Sequence, residues 1–234
     1  FFLHFEVIPD RLPQKLKEYI EKFKPGILQF EVGIQTLDKD ISKRIGRRQN
    51  KEKALENLSY LRHKTNAHLH VDLIIGLPGA GIEVFKKDLN ELVEIGLQEV
   101  QVGMLKLLKG TPLHQHIDAF ELNFEKTPPY EIQSTIDLNL SEMQKMRSLH
   151  KFWDKYYNSG NFIGTMKFLF EMSNPFDEFF ALSNYAFKAM NRTFAISLDD
   201  LCTILYNYLL EVKKVSHKTS RELILKDILV KKGR

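Results

Sequence analysis

His68, His70 and Asp72 alternate with Leu69, Val71 and Leu73, so two imidazoles and a carboxylate share one face of a strand that runs on to Ile75. Imidazole nitrogen and carboxylate oxygen are zinc donors. With His4 and Glu6 on another strand, His68, His70 and Asp72 could form the centre of a metal-dependent hydrolase on a (β/α) barrel. A second reading makes them imidazole–carboxylate pairs lining a polar cavity. His68 and His70 lie toward the amino end of their strand, whereas βα architectures gather their chemistry at the carboxyl end, nearer Asp72. The strand stops at Gly76-Leu77-Pro78-Gly79, a turn whose glycines allow backbone to come close to a ligand.

The elements that must carry these groups follow from the apolar pattern. Strands are predicted at Leu3 to Ile8, Ile27 to Gln35, His68 to Ile75 and Glu99 to Leu105. Helices are predicted between them at Arg11 to Phe23, Asp38 to Ile45 with Asp38 as cap, Lys51 to Lys64, and Gly81 to Gly96. The basic loop Gly46-Arg47-Arg48-Gln49-Asn50 joins the second of these helices to the third. Strands separated by helices predict a parallel sheet. Such a sheet, covered on both faces, should read as nearly continuous apolar runs. Here His4 and Glu6, then Gln29, Glu31, Gly33 and Gln35, then Glu99 and Gln101 leave one face polar. A closed (β/α)₈ barrel packs its interior with apolar layers, so the expectation is an incomplete or wider α/β barrel with a hydrophilic lumen.

Beyond Pro112 the character changes. Pro128-Pro129-Tyr130-Glu131 reads as a junction, followed by helices at 140–157, 162–172, 175–190, 198–212 and 220–230, with Ser197 as an N-cap. Their aromatic stripes read as core. The expected division is a partial barrel over 1–122 and an all-α C-terminal domain over 123–234.

Composition narrows the class. Hydrophobic residues make up 43% and charged residues 27% of the 234 residues, as in a chain able to bury a core. No apolar run approaches the roughly 20 residues of a membrane span, and Phe1 to Glu6 lacks the features of a signal peptide. One cysteine, Cys202, excludes an internal disulfide and fits a reducing, cytoplasmic setting. A net charge of +4, with a basic end at Lys231 to Arg234, reads as a solvated helix end rather than a nucleic-acid surface. The chain lacks an initiator Met and opens inside a strand, so a piece of a longer protein is expected.

Five stretches occur in order on successive βα units: Phe5-Glu6-Val7-Ile8-Pro9, Glu31-Val32-Gly33-Ile34-Gln35-Thr36, Ile45-Gly46-Arg47, Asp72 through Gly79, and Lys109-Gly110-Thr111-Pro112. Together they resemble the later barrel strands of radical S-adenosylmethionine (SAM) enzymes, in the branch of coproporphyrinogen dehydrogenases and tRNA methylthiotransferases. The helical part, with Pro128 to Glu131 and Trp153-Asp154, resembles the C-terminal domain of cobalamin-binding members. The resemblance implies a TIM-like radical SAM barrel containing only its later strands. The parent enzyme would use SAM and a 4Fe-4S cluster to generate a 5′-deoxyadenosyl radical, with cobalamin-assisted methyl transfer as one outcome on an unknown small-molecule substrate.

The resemblance also implies site residues. Glu6 and Gln35 would lie near SAM, Gln35 and Asp72 would meet ribose hydroxyls, and Arg47 would pair with the methionine carboxylate. Gly76 and Gly79 would admit backbone near the adenosine. Parity of the strands independently puts Glu6, Gln35 and Asp72 on the polar face, while Arg47 can equally be a solvated helix end. The family holds its cluster with a CxxxCxxC loop of cysteines, and Cys202 cannot replace that loop. This stretch alone is therefore expected to be inactive. Its partners would be SAM, the substrate and the earlier strands of the same barrel. A ligand-binding subdomain without catalysis is the third reading.

Overall fold

The computed structural model describes residues 1–232, with side chains through Leu229, so the basic end read at Lys231 to Arg234 lies outside the described side chains. The chain forms two compact units, Phe1–Met143 and Gln144–Arg234.

In the first unit, β1 (Leu3–Val7), β2 (Leu28–Gln35), β3 (His68–Ile75) and β4 (Glu99–Met104) form a four-stranded parallel sheet in chain order. Between them lie α1 (Gln14–Ile20), α2 (Lys39–Arg44), α3 (Lys51–Lys64) and α4 (Ile82–Glu94). This is the α/β arrangement expected from the alternation of strands and helices. The register brings Phe5 beside Phe30, Val32 beside Val71 and Leu73 beside Val102. The apolar set of β2, β3 and β4 is buried with Leu58 and Leu61 of α3 and Phe85, Leu89 and Leu92 of α4. Each such side chain contributes roughly 1.5–3 kcal/mol on leaving water. The other face carries Glu6 beside Glu31, Glu31 beside His70 and His70 beside Glu99, all partly open to solvent.

Local chemistry sets the ends of the elements. Asp38 accepts from the Asp40 and Ile41 amides at 3.0 and 2.9 Å to cap α2, and Asn50 accepts from Lys53 N at 2.8 Å to cap α3. The first helix begins at Gln14, not at Arg11 as the pattern predicts. Pro13 takes the extended N-cap position (ψ 145°) and holds the preceding residue out of the helix.

Past β4 the structure adds a 3₁₀ turn, Pro112–His116, and a hairpin of β5 (Asn123–Phe124) and β6 (Ile132–Ser134). The hairpin joins the end of β4 through Ile132 N to Leu105 O at 2.9 Å and Leu107 N to Tyr130 O at 3.0 Å. Strands this short carry no periodic signal, which is why the sequence reads only a turn there.

The edge of the sheet is apolar. Among the described residues β1 pairs only with β2, and Phe5 stays 51% exposed beside its neighbour Phe30. An unpaired, greasy edge strand is a template for association. Sedimentation velocity over a dilution series is expected to show concentration-dependent association, and Phe5→Lys to suppress it. A monomer at every concentration for both proteins would refute this.

The second unit is helical: the remainder of α5 (Leu140–Trp153) and a π-helical turn to Asn158, then α6 (Ile163–Phe170), α7 (Pro175–Met190), α8 (Leu198–Glu211) and α9 (His217–Lys232). Trp153 is fully buried, with the rings of Tyr157 and Phe179 at 4.4 and 4.7 Å. Ser197 and Asp200 form a reciprocal capping box at the start of α8. Asp227 of α9 accepts from Gly164 N at 2.7 Å and Thr165 N at 2.8 Å, closing the open amides at the start of α6. Among the described residues no helix is long and apolar enough to cross a membrane.

Candidate functional site

A cleft of about 810 Å³ opens on the polar side of the sheet, toward the carboxyl ends of β1, β2 and β3. Glu6 from β1, Glu31, Gly33 and Gln35 from β2, and Asp72 from β3 line it together with Arg47 and Arg48 of the α2–α3 loop. Four residues singled out in the sequence, Glu6, Gln35, Arg47 and Asp72, thus meet in one concavity.

Arg47 reaches the sheet by donating from Nη1 to the Gly33 carbonyl. Its backbone amide bonds Ser42 O at 2.8 Å. Gly33 leaves the space for this crossing, because a Cβ there would lie 3.2 Å from Arg47 Nη2. Burial lowers the Arg47 pKa, partly offset by the Asp72 carboxylate. Gly33→Ala is expected to shift the guanidinium by a few tenths of an ångström and weaken any anion contact at Arg47 by about threefold. Titration of a carboxylate-bearing ligand checks this, and unchanged affinity would overturn it.

Burial raises the Asp72 pKa, and Glu31 and Glu6 add to the rise, while His70 and Arg47 oppose it. Asp72 Oδ1 is buried with no hydrogen-bond partner, although His70 Nε2 stands at 3.7 Å. The Asp72 side chain as a whole is 27% exposed, so the cleft offers a carboxylate near a guanidinium. That combination suits a ligand with hydroxyl donors and an anionic group.

Gln35 ends β2 in a conformation ordinary residues avoid. Its φ is +64°, and Thr36 N donates to Ile34 O at 2.9 Å, closing a tight turn centred on Gln35. The β2–β3 register shifts between Gly33 and Gln35. Just beyond, Thr36 Oγ1 and Leu37 N donate to Asp88 Oδ2 at 2.6 and 3.0 Å.

Burial pushes the Asp88 pKa up from 3.8 to about 6, against the two hydrogen bonds and Lys51, with Glu91 adding to the rise. A carboxyl that holds its proton more tightly when folded loses stability as pH rises from about 4 to about 6. Relative to Asp88→Asn, the wild type is expected to lose on the order of 2–3 kcal/mol across that window in thermal melts. A pH-independent difference between the two proteins would overturn the assignment.

Gly76 and Gly79 are not among the residues that line this cleft. Gly76, at φ +87°, lies against Ile132 and Met143, where a Cβ would stand 2.7 Å from Ile132 Cγ2. Gly79 lies beneath the Arg44 guanidinium, which donates to Pro78 O at 2.6 Å and sits 4.6 Å over the Phe120 ring. The close approach these glycines permit is made by the chain's own side chains.

The histidines form pairs. His4 Nε2 lies 3.2 Å from Glu31, His68 Nε2 lies 3.5 Å from Glu99, and His70 stands 3.7 Å from Asp72 and 3.8 Å from Glu99. Among the described residues no group of three or more His, Cys, Asp or Glu side chains could hold a metal ion, so the hydrolase reading of His68, His70 and Asp72 is not favoured. Cys202, in α8, is the only cysteine of the 234 residues. These residues therefore contain no thiolate set for an iron–sulfur cluster.

Sequence reasoning missed Asp10, Arg11 and Gln49 as lining residues. For Asp10 a signal existed, because it follows Pro9 just past the carboxyl end of β1, the rim where βα folds place their sites.

Residues 1–92 match the radical SAM superfamily, and residues 118–233 match a family described as a protein of unknown function, DUF4080. The chain is 28% identical over 98 residues to the mitochondrial radical S-adenosyl methionine domain-containing protein 1 of Danio rerio, covering 42% of this chain and 22% of that protein. It is 25% identical over 163 residues to the heme chaperone HemW of Buchnera aphidicola, covering 63% and 41%. Against the structure of coproporphyrinogen III oxidase (HemN) from Escherichia coli, the TM-score is 0.47 at 20% identity, covering 66% of this chain and 32% of that one. The chain spans 22% and 41% of the length of the two curated relatives. The match to the radical SAM superfamily thus covers residues 1–92, which carry β1, β2, β3 and most of α4.

Proposed function

We propose that the cleft is a SAM-binding site and that the chain carries the later strands of a radical SAM barrel. The observation that supports this best is the convergence of Glu6, Gln35, Arg47 and Asp72 on one cleft. The residues fit the group. The partly exposed Asp72 carboxylate can accept from ribose hydroxyls, and the planar guanidinium of Arg47 matches the methionine carboxylate in a charge-assisted pair. Gln35 brings a carboxamide able to donate and accept, and Glu6 an anion for the ligand's positive charge. Gly76 and Gly79 act one step removed, by seating Ile132 and Arg44.

SAM bound beside a reduced 4Fe-4S cluster supplies a 5′-deoxyadenosyl radical, the chemistry from which the superfamily takes its name. The single cysteine gives that cluster no ligand set among these 234 residues, so the residues in hand bind and orient rather than cleave. In its finer form the proposal extends to cobalamin-assisted methyl transfer to a small molecule. Its support there is only the resemblance of the helical part to cobalamin-binding members.

Isothermal titration of the chain with SAM tests the reading. One-to-one binding, competed by S-adenosylhomocysteine, is the expected result. Absence of heat from folded protein would overturn the assignment of the cleft. A titration with hydroxocobalamin, read by absorbance, separates the finer form.

A further inference from the structure

Asp88 is costly where it stands. It lies in α4 with 3% of its surface exposed, beside the core residues Phe85, Leu89 and Leu92. Lys51, the cation that most favours its charge, is itself paired with Glu91 at 2.7 Å. A carboxylate buried without an ion pair loses its hydration for little return. An apolar residue would suit that face of α4 better.

What the carboxylate holds accounts for its presence. Both of its bonds go through Oδ2, to Thr36 Oγ1 and Leu37 N, and Thr36 Oγ1 in turn accepts from Asp38 N at 3.1 Å. Two consecutive residues after Gln35 are fastened to one oxygen across 52 and 51 positions of sequence, and the third, Asp38, is fastened to the Thr36 hydroxyl. The turn they follow has Gln35 in the left-handed region, where the sheet ladder shifts register and gives the chain less support. Strained backbone of this kind persists where its surroundings over-determine it, and such places cluster at binding sites. Gln35 is also the last residue of β2 and lines the cleft.

We propose that Asp88 is a positioning residue of the cleft: through Thr36 and Leu37 it holds the strained turn that presents the Gln35 carboxamide to the ligand. This rests on the reading of the cleft as a SAM site. Asp88 touches no ligand and acts only through Gln35.

The test compares wild type, Asp88→Asn, Asp88→Leu, Thr36→Val, Gln35→Ala and the Gln35→Ala/Asp88→Leu pair. Three readouts are taken: SAM affinity by calorimetry, thermal midpoint, and amide exchange at residues 36–38. Asp88→Asn keeps an acceptor oxygen for both donors and is expected to bind within about threefold of wild type. Asp88→Leu is expected to weaken binding about tenfold, but less than about twofold when Gln35 is already Ala, because residues acting through one another are not additive. An equal loss in both backgrounds, or full affinity in folded Asp88→Leu, overturns the proposal. If Asp88→Leu does not fold, Thr36→Val, which removes one hydroxyl, takes its place under the same two criteria. If wild type binds no SAM, the reading of the cleft falls and exchange becomes the judge. Selective loss of protection at Thr36, Leu37 and Asp38 then supports the role of Asp88 in holding the turn, and unchanged protection overturns it.

Discussion

Arg47→Ala is expected to weaken SAM binding by about tenfold to a hundredfold, the largest single effect in the cleft. A hydrogen bond to a charged group contributes roughly 1.5–3 kcal/mol, and the guanidinium is half-buried, so solvent screens it less than a surface charge. Arg47 is also held in place before any ligand arrives. Its guanidinium rests on Gly33 O, and its amide is bonded to Ser42 O. That preorganisation removes part of the ordering cost on binding. Arg47→Lys is expected not to restore affinity, because a point charge on a flexible stem cannot reproduce the planar fork. Asp72→Ala is expected to cost about tenfold, as the carboxylate that lines the cleft is then missing for the ligand hydroxyls. Calorimetric titrations alongside circular dichroism measure all three. Wild-type affinity in folded Arg47→Ala would sink the assignment of Arg47.

Trp153→Ala is expected to have the largest effect on stability. The indole is fully buried, packed at 4.4 Å on Tyr157, at 4.7 Å edge-on to Phe179 and at 6.3 Å from Phe170. Removing it empties a large volume that a helical core cannot refill, at a cost of about 3–5 kcal/mol. Against a total stability of about 5–15 kcal/mol for an ordinary domain, this approaches unfolding. The melting transition of the helical signal is expected to fall by more than about 10 °C, with loss of near-ultraviolet dichroism. A shift of only a degree or two would mean that the aromatic cluster is not the centre of the second unit. Trp153→Phe, which keeps a ring against Phe179, is expected to recover most of the loss.

Much of the first unit was legible because its signals are local. Strand periodicity is two, so the run from His68 to Ile75 displays its two faces without reference to any partner, and so do Leu28 to Gln35 and Glu99 to Met104. Caps are equally local, and Asp38 and Ser197 bond the amides two or three positions on. A polar face shared by successive strands then pointed to a cleft on that side, with Glu6, Gln35 and Asp72 in it.

Local signals end where contacts join distant parts of the chain. A Cβ at Gly76 or Gly79 would meet Ile132 or Arg44, 56 and 35 positions away by their residue numbers, and no local pattern announces either neighbour. The hairpin of β5 and β6 is too short to show a period and exists because Leu105 and Leu107 supply its partners. Asp88 is the plainest case. In sequence it is one charge among the apolar residues of an amphipathic helix, and nothing near it mentions Thr36. Composition and periodicity specify which face of each element is buried. Which buried donor meets which buried acceptor depends on how the elements stack, and a carboxylate's purpose becomes visible only when the hydroxyl and amide it satisfies are brought within 3.0 Å of it.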